Sequence, residues 1–482
     1  MRTHFRVEQL ADPAIAAAEK NLRACVHCGM CTATCPTYVL LGDERDGPRG
    51  RIVMMQNMLQ EGGAPSAETV THLDRCLSCL GCRTACPSGV DYARLIDRSR
   101  AHIEQHHRRP PAERLVRWGI ANVLTRPALT RIALRLARLA APLRKLLPRR
   151  LRSMVEMART MPAGILHLPA AQSERRIALL PGCVQQVIAP EIDEAAARLL
   201  ARRGIALATL EAAGCCGALA HHLGREREAK AWAKRLIEAF ENAGGADAFE
   251  GILITASGCA LHIHEFEYLF LDEPEWQTRA GAFAKKLTDL GALLSSPACR
   301  GGGSPRGEAR ESGFAKERGE TEGEGAATIP PPPHFVRHLP RKRGRISEGK
   351  AAQSEGLRVA LQVPCSQQHG LRWPDAGDLL EAAGFEVLHI PEGHLCCGSA
   401  GSYSILQPQL AFALRERKLA NIRSVQPEVI ATSNIGCLQH LSGPDAPAVV
   451  HIAELLDWAE GGPLPKALRT RAQSMANGEA PG

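Results

Sequence analysis

Apolar and polar positions fall into two sets of segments that repeat each other over the second half of the chain. Strand-like apolar runs cover residues 176–180, 205–210 and 251–255, and again 358–363, 385–390 and 428–432. Between them, apolar residues recur at helical spacing over 190–203 and 225–242 in the first set and over 375–383 and 409–424 in the second. The order β-α-β-α-β, met twice, predicts a parallel α/β sheet in each copy. Ahead of these copies the pattern is helical. Residues 51–60 (RIVMMQNMLQ) mix apolar and polar positions at turn-like spacing. Further on, ALTRIALRLARLAAPLRKLLPRRLRSMVEMA sets leucines against arginines and is interrupted by Pro142 and Pro148. Over 299–356 the periodicity disappears into glycine, proline and mixed charge. Such a segment cannot bury enough surface to offset its ordering entropy, so it is expected to be a disordered, neutral insert with Cys299 unligated.

Cysteine placement supplies the chemistry. Cys25, Cys28, Cys31 and Cys35-Pro36 form one motif, and Cys76, Cys79, Cys82 and Cys86-Pro87 repeat its spacing. Three thiolates two residues apart on a tight loop each reach a different iron of a [4Fe–4S] cube. In two-cluster ferredoxins the fourth, followed by proline, ligates the other cluster. That rule groups Cys25, Cys28, Cys31 and Cys86 around one cluster, and Cys76, Cys79, Cys82 and Cys35 around the other. Zinc also uses CxxC pairs, but it needs four ligands and has no use for an evenly spaced third cysteine plus Cys-Pro, twice over.

The α/β copies carry their own cysteines. ALLPGCVQQ (Cys183), GCCGALAHHLG (Cys215, Cys216) and ASGCALHIHEF (Cys259) in the first are answered by ALQVPCSQQHG (Cys365), CCGSAGSYSIL (Cys396, Cys397) and SNIGCLQHL (Cys437) in the second. Each group returns about 180 positions later, as in a duplicated domain. Each cysteine-bearing loop follows a strand, so three remote segments should converge at the carboxyl edge of each sheet. His262 and His440 follow Cys259 and Cys437 as CxxH, and imidazole ligates iron or zinc. His221 and His222 are further donors in the first copy. Iron–sulfur, zinc and unmetallated thiol sites all fit these residues.

Composition narrows the function. Aromatics make up 4% of the 482 residues, too few for stacking surfaces, and no nucleic-acid motif accompanies the charge. Residues 94–152 hold sixteen Lys or Arg against Asp97, Glu104 and Glu113, so the net charge of +8 is concentrated there. A basic amphipathic helix suits either packing on protein or an anionic membrane surface. No secretory signal and no apolar run of membrane-spanning length is evident, so a cytoplasmic protein, or one peripheral to the cytoplasmic membrane face, is expected. No GxGxxG opens a helix after a strand, so no flavin or nicotinamide site is expected, and catalytic residues are expected on a partner.

The helices between cluster loops resemble the helical ferredoxin domains of succinate dehydrogenase and fumarate reductase iron–sulfur subunits. The paired-cysteine loops resemble the CCG domains of heterodisulfide reductase-type proteins, where CxxC stands in place of CxxH. Taken whole, apart from 299–356, the chain resembles the iron–sulfur subunit of bacterial glycolate oxidase, on the strength of GCCGALAHHLG and CCGSAGSYSILQP. Iron–sulfur subunits of lactate-utilisation systems and of anaerobic glycerol-3-phosphate dehydrogenase share the layout. The resemblance implies an α+β multi-domain chain, with an α-helical ferredoxin dicluster domain (1–100) and a basic helical linker (101–172). Two tandem α/β CCG domains (173–298 and 357–465) flank the insert, and a tail (466–482) follows. It also implies FAD-binding flavoprotein partners that oxidise glycolate to glyoxylate, and a quinone or other acceptor. A heterodisulfide reductase-like enzyme and a zinc-holding scaffold are the competing expectations.

Overall fold

The computed structural model describes residues 1–142, 161, 163–169, 173–210, 213–295 and 356–470. Most of the expected insert and tail, and residues 143–160 of the basic stretch, lie outside the described residues.

The first hundred residues are helical, as expected. Asp12 caps the helix Pro13–Ala24 by accepting from the amides of Ala14 and Ile15, and proline at the first position fits its fixed φ. Pro48–Glu61 contains the expected segment 51–60 and buries Ile52, Met55, Met58 and Leu59. Tyr92–His106 lays Leu95, Ile96 and Ile103 into the same core as Leu22 and Leu73. This last helix runs across residue 100, so the expected edge between the first domain and the linker falls inside it. The chain instead breaks at residues 107–110. In the basic stretch, Pro127–Ala140 ends before Pro142, as the sequence suggests. It buries Thr130 and Leu134, while Ile132, Leu136 and Leu139 are 50–76% exposed.

Each cysteine-rich half holds a four-stranded parallel sheet. The first contains β1 (Arg175–Leu179), β2 (Ile205–Thr209), β3 (Gly251–Leu253) and β4 (Leu287–Thr288), in the order β2-β1-β3-β4. The second contains β5 (Arg358–Gln362), β6 (Glu386–Leu388), β7 (Val429–Thr432) and β8 (Ala448–His451), in the order β6-β5-β7-β8. Pairing is matched: Ile177 lies opposite Gly251, and Val359 opposite Val429. The fourth strand of each sheet was not expected. Two residues of β4 carry no readable alternation, and β8 follows a Gly-Pro-Asp loop.

The halves share one core. Leu199 and Leu200 on the helix Glu191–Ala201 pack with Leu455 and Leu456 on Ile452–Ala459. At that contact Asp457, 1% exposed, accepts from Arg198 at 2.8 Å and pairs with Arg202. The ferredoxin-like region is fastened to the same body by Glu265, which pairs with Arg83 at 3.4 Å and with Arg94.

Candidate iron–sulfur centres

Both ferredoxin motifs follow the same backbone path. His27 and Gly29 flank Cys28 with φ of 56° and 82°, and Ser78 and Leu80 flank Cys79 with φ of 53° and 61°. A left-handed residue on either side of the middle cysteine curls each loop round a hollow. Gly29 adopts that conformation freely, whereas Leu80 does so at a cost of roughly 1–2 kcal/mol.

Two hollows adjoin one another. The first, about 440 Å³ counting its open mouth, is lined by Cys25, Cys28, Cys31, Cys82 and Cys86. The second, about 320 Å³, is lined by Cys35, Cys76, Cys79 and Cys82. Pro48, Cys82 and Tyr92 border both. Each hollow thus brings three cysteines of one motif together with the Cys-Pro cysteine of the other, and Cys82 borders both.

The donor chemistry fits iron–sulfur ligation. Burial pushes the Cys31 thiol up to about 11, helped by Cys25, Cys86 and Cys28. Burial likewise raises Cys79 and Cys82 well above the ordinary thiol value. Burial and neighbouring sulfurs thus favour the neutral thiols, and ligating these cysteines as thiolates would need the positive charge that iron supplies. One zinc ion would hold its sulfurs about 3.8 Å apart. Among the described residues, no cysteine belongs to a trio of donor atoms lying within 4.8 Å of one another.

Sequence reading missed the charge beneath the second hollow. Arg51, 1% exposed, donates to Cys35 Sγ at 3.7 Å, to Thr37 Oγ1 at 3.0 Å and to the His72 carbonyl at 2.8 Å. Asp46, wholly buried, meets Arg51 at 3.4 Å, Arg75 at 2.8 Å and His72 Nδ1 at 3.0 Å. Burial alone would lower Arg51, but Cys76, Tyr92, Cys35 and Asp46 raise it above the usual guanidinium value. In a helical pattern Arg51 reads as one more solvated arginine, and its partners are remote in sequence.

The paired-cysteine loops converge at the carboxyl edges of their sheets. In the first half Cys215 Sγ lies 3.5 Å from Cys183 Sγ. Hydrogen bonds from Cys215 and Cys259 hold the Cys216 thiol well below its ordinary value. In the second half Cys365 and Cys396 are 3.8 Å apart, and Cys397 and Cys437 are 3.2 Å apart. Lys418, 2% exposed, faces this group: burial lowers its ammonium, while Cys397, Cys396, Cys437 and Cys365 pull it up. The two CxxH histidines behave differently. His440 Nε2 bonds the Ala411 carbonyl at 3.1 Å, whereas the His262 ring lies tilted against that of His221, centroids 4.9 Å apart.

The halves meet at these loops and at the second hollow. Ser257, beside Cys259, hydrogen-bonds Ser366, beside Cys365, at 2.8 Å. Cys79 packs in one apolar cluster with Cys365 and Cys396. Thr84 Oγ1 bonds His369 Nδ1 at 2.9 Å, fixing the second ferredoxin motif against the second α/β half.

Known proteins share this layout. A 4Fe-4S dicluster domain matches residues 21–90, and a cysteine-rich CCG domain matches 177–264 and 359–442. The chain is 27% identical to the probable glycolate oxidase iron–sulfur subunit of Bacillus subtilis, over 92% of this chain and 95% of that one. It is 24% identical to lactate utilization protein A of Geobacillus kaustophilus, over 58% of this chain and 98% of that one. The glycolate oxidase iron–sulfur subunit of Escherichia coli is 35% identical, over 95% of this chain and 99% of that one. With that coverage, and with hollows suited to iron–sulfur ligation, the chain belongs to the family of glycolate oxidase iron–sulfur subunits.

Proposed function

We propose that this chain is the electron-transferring subunit of a complex that oxidises glycolate to glyoxylate. FAD-binding partner subunits perform the oxidation, and a quinone or other acceptor takes the electrons. The observation that carries the reading is the crosswise lining of two adjoining hollows. Cys25, Cys28, Cys31 and Cys86 hold one [4Fe–4S] cluster in this reading, and Cys76, Cys79, Cys82 and Cys35 the other. Such clusters, when bound, supply one-electron storage. The protein contributes burial, the Arg51 donor at one sulfur, and a rigid shared wall at Tyr92 and Cys82.

The paired-cysteine sites extend the reading. Cys183, Cys215, Cys216 and Cys259 in one half, and Cys365, Cys396, Cys397 and Cys437 in the other, are suited to further iron–sulfur or zinc ligation. The second group abuts Cys79 through a shared apolar cluster. The exposed Ile132, Leu136 and Leu139, set among arginines, suit a peripheral contact with an anionic membrane on the cytoplasmic side. No helix among the described residues is long and apolar enough to cross a membrane.

The test is reconstitution with the flavoprotein subunits. Anaerobically purified chain should carry at least about eight irons with matching sulfide. Adding it should couple glycolate oxidation to quinone reduction. Zinc in place of iron, or equal quinone reduction by the flavoprotein alone, refutes the proposal. Full dye turnover with lactate or glycerol 3-phosphate and none with glycolate reassigns the substrate.

A further inference from the structure

A second kind of donor cluster lies where the ferredoxin-like region meets the first α/β half. Asp97, on the helix Tyr92–His106, faces His221 and His222, on the short helix Ala218–His222. Their ligand atoms all lie within 4.8 Å of one another. Among the described residues, Asp97 makes no side-chain hydrogen bond or ion pair, and neither do the two imidazoles. His222 Nδ1 is buried without a partner. Behind His221, the His262 ring lies tilted with its centroid 4.9 Å away, is 4% exposed, and leaves Nε2 unpartnered. Imidazoles that served only as packing would be expected to satisfy their ring nitrogens, because a buried polar atom without a partner costs roughly 1–3 kcal/mol.

The backbone is arranged to bring these groups together. Gly224, with φ of 82°, lies so close to Tyr92–His106 that a Cβ there would sit 2.3 Å from the Arg100 carbonyl oxygen. The two elements therefore touch main chain to main chain beside the trio. Arg100, on the same helix, donates to Ser78 Oγ and the Cys76 carbonyl at 2.6 Å each. The corresponding positions of the second half, five and six residues beyond its own paired cysteines, are Ser402 and Tyr403. The trio is thus particular to the half that packs on Asp97.

We infer that Asp97, His221 and His222 form a binding site for one divalent transition ion of zinc type, which ties the ferredoxin-like region to the first cysteine-rich half. Two imidazoles and one carboxylate are a zinc-type donor set, with water completing the tetrahedron. Zinc holds such donors about 3.4 Å apart, a separation that side-chain rotation reaches from the present spread. His262 is a positioning residue, its ring backing that of His221.

The experiment uses the full-length, cluster-loaded protein and Zn²⁺ as the probe. After equilibration and removal of free metal, about one zinc per chain is expected. Its X-ray absorption edge should show nitrogen and oxygen neighbours with imidazole scattering. Sulfur neighbours with no imidazole scattering would place all the zinc on cysteines and overturn the inference, as would failure to retain any zinc. Asp97→Asn and His222→Gln should each lose the zinc while iron, sulfide and the visible spectrum stay at wild-type levels. Retention of zinc by both variants overturns it equally. The wild-type edge spectrum decides the question even where a variant folds poorly.

Discussion

Arg51 donates to the sulfur of Cys35 at 3.7 Å from a site that water does not reach. A full positive charge beside one sulfur of the second hollow favours added negative charge there. At an effective dielectric constant of about 20, a unit charge some 6–8 Å away is worth roughly 2–3 kcal/mol, or on the order of 100 mV for one electron. Arg51→Gln should lower one midpoint potential by about that much and leave the other nearly unchanged, whereas Arg51→Lys should shift it far less. A redox titration followed by electron paramagnetic resonance checks this. Equal potentials in Arg51→Gln and wild type would remove Arg51 from any tuning role.

The crosswise lining of the hollows predicts which cysteine losses are redundant. Cys28→Ser with Cys86→Ser should abolish one cluster signal, as either change does alone. Cys28→Ser with Cys35→Ser should abolish both, since those residues line different hollows. Iron analysis and low-temperature spectra of the four proteins decide between this grouping and one in which each motif closes on itself.

Gly224→Ala tests how tightly the first α/β half is drawn onto the ferredoxin-like region. Its Cβ would meet backbone at 2.3 Å, and its φ of 82° disfavours any side chain. Left-handed strain and overpacking together are expected to cost about 2–4 kcal/mol. A lowered Tm and faster proteolysis between the two regions should follow. An unchanged Tm would mean that the contact gives way without penalty.

Stability should also depend on Asp193. Burial raises its carboxyl to about 6, against hydrogen bonds from Thr255 and Gln185 that pull it down. The folded state therefore holds a proton that the unfolded chain releases near pH 4. This contribution is full below about pH 4 and is lost as pH rises through about 6. Two pKa units correspond to roughly 3 kcal/mol. Asp193→Asn should gain stability relative to wild type as pH goes from about 5 to 7.5. His451, which burial lowers to about 4, contributes in the opposite sense, but it is common to both proteins and cancels in the comparison. Parallel pH profiles of Tm would rule Asp193 out.

The duplicated sheets and the cysteine loops at their carboxyl edges were legible because each leaves a local trace: short apolar runs at β1, β2, β5 and β7, and cysteines in the loops beyond. The match between the two copies strengthened every weak segment. Residues whose meaning lies in remote partners were not legible. Arg51 and Lys418 sit at helical positions that read as solvated, and only packing against Cys35 and Cys397 gives them a role. His262 and His440 share a CxxH spacing, yet one turns toward His221 and the other to the Ala411 carbonyl. The shared spacing leaves that choice to the neighbouring helix. The juxtaposition of Asp97 with His221 and His222 bridges more than a hundred residues and has no one-dimensional signal.

Pro48, Cys82 and Tyr92 border both hollows, so clusters held there would be near neighbours. Charge settling on one would be felt at the other, so the first electron to arrive would raise the cost of the second. Filling should therefore proceed in two separated steps.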